Sequence, residues 1–352
     1  MLIKRILLIF LSLLLFTSVF AEDEIVLKEQ HPTDYVVVRG DTLWDIASRF
    51  LRDPWRWPDI WYVNPQIENP HLIYPGDEVV LTFKDGKPRL ELKRKASSNG
   101  LRVVKLSPRV RTEPLTTAIP TIPVDAIEQF LNRPKVVAKH ELDKAPYVAS
   151  SMEQHLINGT GDKIYVRGIE NNETTRFTIF RAGVVYKDTP ANKKRVLGYE
   201  AIQVGEAVME KLGDPSSLVI TQADREVLTG DRVLPSTSRE LDFHFVPHAP
   251  KLDMSGNIIH VIDGVSYIGQ YQVVVLNLGD EHQLEKGHVL AISQKGEKIR
   301  DTVKNAKSRY LHLPEEQAGY LMVFRTFAKV SYALVMSAYR EIKIHDRVHN
   351  PN

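Results

Sequence analysis

The sequence predicts an α+β chain: a small strand–helix–helix–strand module near the N-terminus, then a linker, then two tandem, mostly antiparallel β domains. Three observations carry this reading. Residues 35–83 switch from a β-branched run to helical spacing and back to a β-branched run. A stretch rich in Lys, Arg, Thr and Pro follows. Beyond it, similar short strings recur in the same order at long spacing, the mark of an internal repeat.

At 352 residues the chain exceeds one ordinary core, since domains run to roughly 100–150 residues, so several folding units are expected. A content of 43% hydrophobic and 26% charged residues supplies enough apolar matter for real cores. The 46 basic and 44 acidic residues leave a net charge of +2, which gives no global field toward nucleic acid or an anionic membrane. With no cysteine, disulfides, thiol nucleophiles, cysteine-ligated zinc and a lipid-modified N-terminal cysteine are excluded.

Residues 1–21 read as an export signal. Lys4 and Arg5 precede the apolar run Ile6 to Phe16, and Val19-Phe20-Ala21 offers a small-residue cleavage site, with the cut expected after Ala21. The run to Phe20 is short of the roughly 20 residues that span a bilayer stably. A cleaved signal and a periplasmic location are therefore expected, with no other membrane contact; a retained anchor is the alternative.

In the module, Tyr35-Val36-Val37-Val38 is a strand stopped by Arg39-Gly40. Asp41 or Thr42 caps a helix, Leu43 to Leu51, whose Leu43, Ile46, Ala47 and Phe50 recur at helical spacing. A second helix, interrupted around Pro54 and Pro58, runs through Ile60, Trp61 and Val63 to Asn64-Pro65. Pro75-Gly76-Asp77 then turns into a closing strand, Glu78 to Phe83. All four tryptophans, Trp44, Trp55, Trp57 and Trp61, fall in this segment.

The string Tyr35-Val36-Val37-Val38-Arg39-Gly40-Asp41-Thr42-Leu43-Trp44-Asp45-Ile46-Ala47 resembles the opening of a LysM domain. Asn64-Pro65-Gln66-Ile67 and Leu72-Ile73-Tyr74-Pro75-Gly76-Asp77-Glu78-Val79 resemble the end of its second helix, its binding loop and its last strand. The resemblance implies a βααβ fold and binding of N-acetylglucosamine-containing glycans, chiefly peptidoglycan. It also implies a shallow groove between the first turn (Gly40, Asp41, Thr42, Leu43) and the loop before the last strand (Leu72, Ile73, Tyr74), with Asn64, Pro65 and Ile67 alongside. An acetamido group needs backbone donors and acceptors and an apolar wall for its methyl; glycine bares the backbone, and Leu, Ile and Tyr supply a wall. The chain departs from the family pattern at Arg52-Asp53-Pro54-Trp55-Arg56-Trp57-Pro58, which lengthens the interhelical region. Trp55 and Trp57 are either core or a stacking platform for a sugar ring.

Residues 84–124 read as a basic, Pro/Thr-rich linker: between Lys84 and Arg111 ten basic residues face two acidic ones, and Thr112 to Pro123 is rich in Thr and Pro. A short helix, Asp125 to Leu131, opens a connector over 125–146. Thr178-Ile179-Phe180-Arg181-Ala182-Gly183 then resembles Ala291-Ile292-Ser293-Gln294-Lys295-Gly296. Gly198-Tyr199-Glu200-Ala201-Ile202 matches Gly319-Tyr320-Leu321-Met322-Val323, and Gly230-Asp231-Arg232-Val233 matches His345-Asp346-Arg347-Val348. The implied β domains are 147–236 and 258–351, differing by loop insertions, the clearest at Gly213 to Ser217.

No catalytic engine is evident. There is no His-Glu-x-x-His, no Gly-x-Ser-x-Gly elbow and no phosphate loop. His244 and His248 have helical ligand spacing, but Pro247 breaks the helix and no third ligand is fixed, so no metal is expected. His260, His282, His288 and His312 read as ordinary histidines. Acids such as Glu141, Asp143, Glu200 and Glu206 could in principle supply a glycosidase pair, but nothing singles one out. The expectation is a non-catalytic protein without cofactor, holding peptidoglycan strands through the module and an envelope protein through the β domains. A cell-wall hydrolase with its site in 125–352 is the alternative.

Overall fold

A computed structural model describes residues 25–61, 73–93, 118–132, 135–152, 155, 157–171, 173–188, 195–236, 245–262, 268–300 and 310–351. Residues 1–21, expected to be an export signal, and much of the basic segment lie outside them. The chain divides into two compact units, the first ending at Ile119 and the second starting at Pro120.

The first unit follows the expected order of elements. Strand β1 (Asp34–Val36) leads to helix α1 (Leu43–Phe50). Thr42 caps it: its hydroxyl accepts the Asp45 N–H at 3.1 Å, and the Asp45 carboxylate accepts the Thr42 N–H at 3.2 Å. This reciprocal box satisfies two otherwise orphaned donors. A 3-10 turn at Pro54–Arg56 runs into α2 (Trp57–Trp61), and β2 (Glu78–Lys84) pairs antiparallel with β1, Tyr35 opposite Val79. Leu43, Ile46, Ala47 and Phe50 of α1 meet Trp57, Ile60 and Trp61 in one core.

One element departs from the sequence reading. Residues 87–93, assigned to a solvated linker, form a third strand, β3 (Lys87–Lys93), paired with β2 from Glu78↔Lys93 to Lys84↔Lys87. The turn is Asp85-Gly86, with φ of 52° and 76°; two consecutive left-handed residues are what a two-residue hairpin matching strand twist requires. The basic count concealed an alternation: Lys87, Arg89, Glu91 and Lys93 share one face, while Leu90 and Leu92 face the core. Ile119 also joins this core, its N–H donating to Ile73 O at 2.8 Å, so the linker reading fails at both ends of 84–124.

The second unit opens with α3 (Val124–Asn132), β4 (Lys135–Val137) and α4 (Lys139–Lys144). Six strands follow: β5 (Tyr147–Ser151), β6 (Lys163–Arg167), β7 (Arg176–Lys187), β8 (Val196–Lys211), β9 (Ser216–Ala223) and β10 (Arg232–Pro235). They pair in the order β5-β6-β9-β8-β7-β10, and β10 returns to β5, closing a ring; β4 adds to the far end of β8. The next six are β11 (Ser255–Val261), β12 (Val273–Leu276), β13 (Val289–Gln294), and, after the small hairpin β14 (Lys298–Arg300) and β15 (Tyr310–His312), β16 (Glu316–Thr326), β17 (Ser331–Ala338) and β18 (Arg347–His349). They form a closed barrel, β11-β12-β17-β16-β13-β18. Taken strand for strand, the two circuits are the same.

The likeness reaches single hydrogen bonds. Ile179 pairs with Val233 as Ile292 pairs with Val348. Asn158 bridges Val227 as Ile268 bridges Ile342. Gly159 N–H donates to the Asp162 carboxylate and Gly269 N–H to the Gln272 side-chain oxygen, both at 2.7 Å. Leu228 N–H donates to Asp231 and Lys343 N–H to Asp346, both at 2.8 Å. The rings are copies of one unit with separate apolar interiors, centred on Val148, Ile164, Ile179 and Val233 in one and on Ile258, Leu290, Ile292 and Val348 in the other.

The middle string of the repeat was out of register. Ile179 pairs with Gly205 and Ile292 with Gly319, so the counterpart of Gly319 is Gly205, not Gly198. Both glycines sit where a strand crosses tightly over its neighbour. A Cβ on Gly205 would lie 2.6 Å from Gln222 O, and one on Gly319 would collide with Ser337 O. Met209 pairs with Leu218 and Val323 with Ala333, so the expected insertion at Gly213 to Ser217 is absent and the second copy's turn is one residue longer.

Strands β7 and β8 run past the first ring as an arm, pairing from Val185↔Tyr199 to Lys187↔Val196. The arm reaches the second ring, where Tyr186 meets Tyr332 and Asp188 accepts from the Asn277 amide at 2.9 Å. Strands β12 and β17 are buried on both faces along much of their length, consistent with an outer face that is covered as well as filled inside.

Candidate functional site

The first unit's two turns are locked side by side. Val37 N–H donates to Asp77 O at 2.9 Å and Gly76 N–H to Val37 O at 2.7 Å. Each turn has its own internal brace. Asp41 accepts from the Tyr35 hydroxyl and the Val38 N–H, both at 2.9 Å, and Asp77 accepts the Tyr74 N–H at 3.1 Å. Burial first, then the Asp41 carboxylate, hold the Tyr35 phenol above its ordinary range, so it remains a donor. Gly40 and Gly76 take φ of 99° and 98°, are exposed, and have nothing within 4 Å of where a Cβ would stand. The result is bare, pre-shaped backbone on two adjacent turns, the arrangement that can hydrogen-bond an amide-bearing sugar without reorganising.

Among the described residues, the expected contacts of the two loops divide into three groups. Gly40 is at the surface, Tyr74 is half-buried, and both belong to the facing turns. Asp41 and Thr42 are buried and occupied in shaping the first turn and capping α1. Leu43 and Ile73, expected as an apolar wall, instead lie in the core at 2% and 0% exposure. Helical spacing had already put Leu43 on the buried face, so its side chain could not also line a groove. Asn64, Pro65, Ile67 and Leu72 lie outside the described residues. Trp55 and Trp57 are 9% and 2% exposed, which corrects the reading of either as an open sugar platform. Sequence reasoning passed over Val38 and Arg39, both exposed on the first turn, and the strand-ending Val-Arg-Gly string was the signal for them.

The LysM domain family model matches residues 35–82. Residues 35–82 are a LysM domain. Membership of the LysM family implies binding of glycans of the peptidoglycan and chitin type. LysM domains are typically extracellular or wall-associated, and among the described residues no helix is long and apolar enough to cross a membrane. Over 58 residues the chain is 40% identical to "Uncharacterized protein YqbP" of Bacillus subtilis (strain 168), covering 14% of this chain and 26% of that protein. The chain thus spans about a quarter of the length of that relative.

In the second unit a cleft of about 280 Å³ opens beside the arm, lined by Tyr186, Lys187 and Asp188 on one side and Ile259, His260 and His345 on the other. His345 holds φ of 79° where the first copy has Gly230. Behind it, Glu200 is buried and accepts the Val184 N–H at 3.1 Å. Burial lowers the affinity of His260 for a proton, with Glu200 acting weakly in the opposite sense. Of the other acids weighed as a glycosidase pair, Glu141 accepts the Ala138 N–H at the start of α4, while Asp143 and Glu206 are exposed.

Proposed function

We propose that this chain is a non-catalytic peptidoglycan-binding protein of the periplasm, exported by a signal removed after Ala21. The LysM domain holds glycan strands, and the tandem β barrels contact an envelope protein. The observation that supports this reading most is the pair of interlocked turns at Val37 and Gly76, whose bare backbone suits an acetamido sugar.

The test is co-sedimentation of the full chain with purified sacculi, alongside an assay for soluble muropeptides. Retention on sacculi that is lost when residues 25–119 are removed, with no muropeptide release, supports a tether. Release of muropeptides makes the protein a wall hydrolase, and retention that survives the deletion moves the glycan site into the barrels.

A further inference from the structure

We infer that His248, Glu285 and His288 form a binding site for one divalent transition-metal ion, zinc foremost. One ligand atom from each of the three side chains can be chosen so that all lie within 4.8 Å of one another. Spacing does not report the grouping, because His248 lies 40 residues before His288, in the segment leading into the second barrel, while Glu285 and His288 sit in the turn before β13.

The backbone holds the two segments together independently of any ion. His248 N–H donates to Gly287 O at 3.1 Å and Val289 N–H to His248 O at 2.9 Å, so the two histidines form a parallel bridge pair. Their ring centroids are 4.7 Å apart, edge to face. The bridge thus brings two imidazoles from distant stretches of chain side by side. The His248 Nδ1 is 2.9 Å from Val246 O, which fits an Nδ1–H donor and leaves Nε2 with its lone pair free. An outer carbonyl that orients a ligating imidazole in this way is a regular partner of metal-bound histidine.

His288 Nδ1 accepts the Glu285 N–H at 3.0 Å, so ligation through that nitrogen exchanges one neutral hydrogen bond for a metal–nitrogen bond. Glu285 is exposed and can turn inward, drawing the ligand atoms toward the roughly 3.3 Å edges of a tetrahedron with bonds of about 2.0–2.1 Å. Two imidazoles and one carboxylate suit an ion of borderline softness rather than calcium or magnesium, and three protein ligands leave a fourth position to water. Such an ion ties the inter-barrel segment to the second barrel.

The experiment uses the untagged full chain, stripped with chelator, titrated with zinc chloride by calorimetry and with Co²⁺ by visible absorption. One ion per chain is expected, with tetrahedral Co²⁺ bands and a rise in Tm. His248→Ala and Glu285→Gln, both at exposed positions, each weaken binding at least about tenfold and reduce the Tm shift at a fixed zinc concentration, since even outer-shell changes cost that much. His312→Ala leaves both unchanged. Absence of binding by the parent chain, or binding undiminished in both His248→Ala and Glu285→Gln, overturns the inference.

Discussion

The Tyr186 hydroxyl at the end of the arm lies 3.3 Å from the Tyr332 hydroxyl on the second barrel, and both side chains are buried. Burial, more than the neighbouring charges, raises both phenols above the ordinary value near 10. The folded state therefore keeps protons that the unfolded chain releases, and the stability this contributes is present below about pH 10 and lost as pH rises. Urea melts between about pH 9 and 11 are expected to show a decline of up to ~1.4 kcal/mol per pH unit for each tyrosine. Tyr186→Phe is expected to flatten that decline while costing about 1 kcal/mol at neutral pH.

Leu43→Ala and Ile73→Ala are each expected to cost about 2–5 kcal/mol in denaturant melts, because both side chains fill the LysM core. Tyr74→Ala, at a half-buried position of the second turn outside the core cluster, is expected to cost less in the melt than either core change and to weaken binding of N-acetylglucosamine oligomers by about 1 kcal/mol. Equal binding by the Tyr74 variant would place the contact elsewhere on the module.

Leu90→Ala is expected to destabilise the LysM unit by about 2–5 kcal/mol, although it lies beyond the matched 35–82. Gly86→Val, which forces a β-branched residue into a left-handed turn position, should act in the same direction. Hydrogen exchange of the β2 amides reads both; protection unaffected by either change would show β3 to be an ornament.

Asp346 is the counterpart of Asp231, but where Asp231 meets the Arg181 guanidinium at 2.8 Å, the matching side-chain partner of Asp346 is the neutral Gln294 amide at 3.2 Å. Burial raises the Asp346 carboxyl above its usual range, against smaller lowering by Lys343 and Gln294. A raised folded-state value makes its contribution greatest below about pH 4 and lost as pH rises. Asp346→Asn should therefore gain on the parent as pH climbs from about 4 toward neutrality. A difference in melting midpoint that stays constant over that span would refute it.

Local strings were enough to read the LysM domain, because its turns and caps are fixed by neighbours in sequence, as with Thr42 and Asp45. The tandem β unit was legible from Val233 and Val348 on short final strands, but Gly198 was aligned with Gly319 because both precede a tyrosine. What distinguishes Gly205 is a steric contact with Gln222, a residue on the next strand, which no local string reports. Strand β3 was missed because a charge count ignores phase, and Leu43 because one side chain was given two faces. The meeting of His248 with His288 depends on a backbone bridge across 40 positions, beyond any spacing rule.

Each six-strand circuit closes on itself, so among the described residues the strands within a ring leave no bare row of amides for another ring to pair with. Copies crowded along a polymer cannot extend one another's barrels strand by strand, and whatever recognises these barrels must read side chains and loops. Closure thus sets recruitment apart from aggregation.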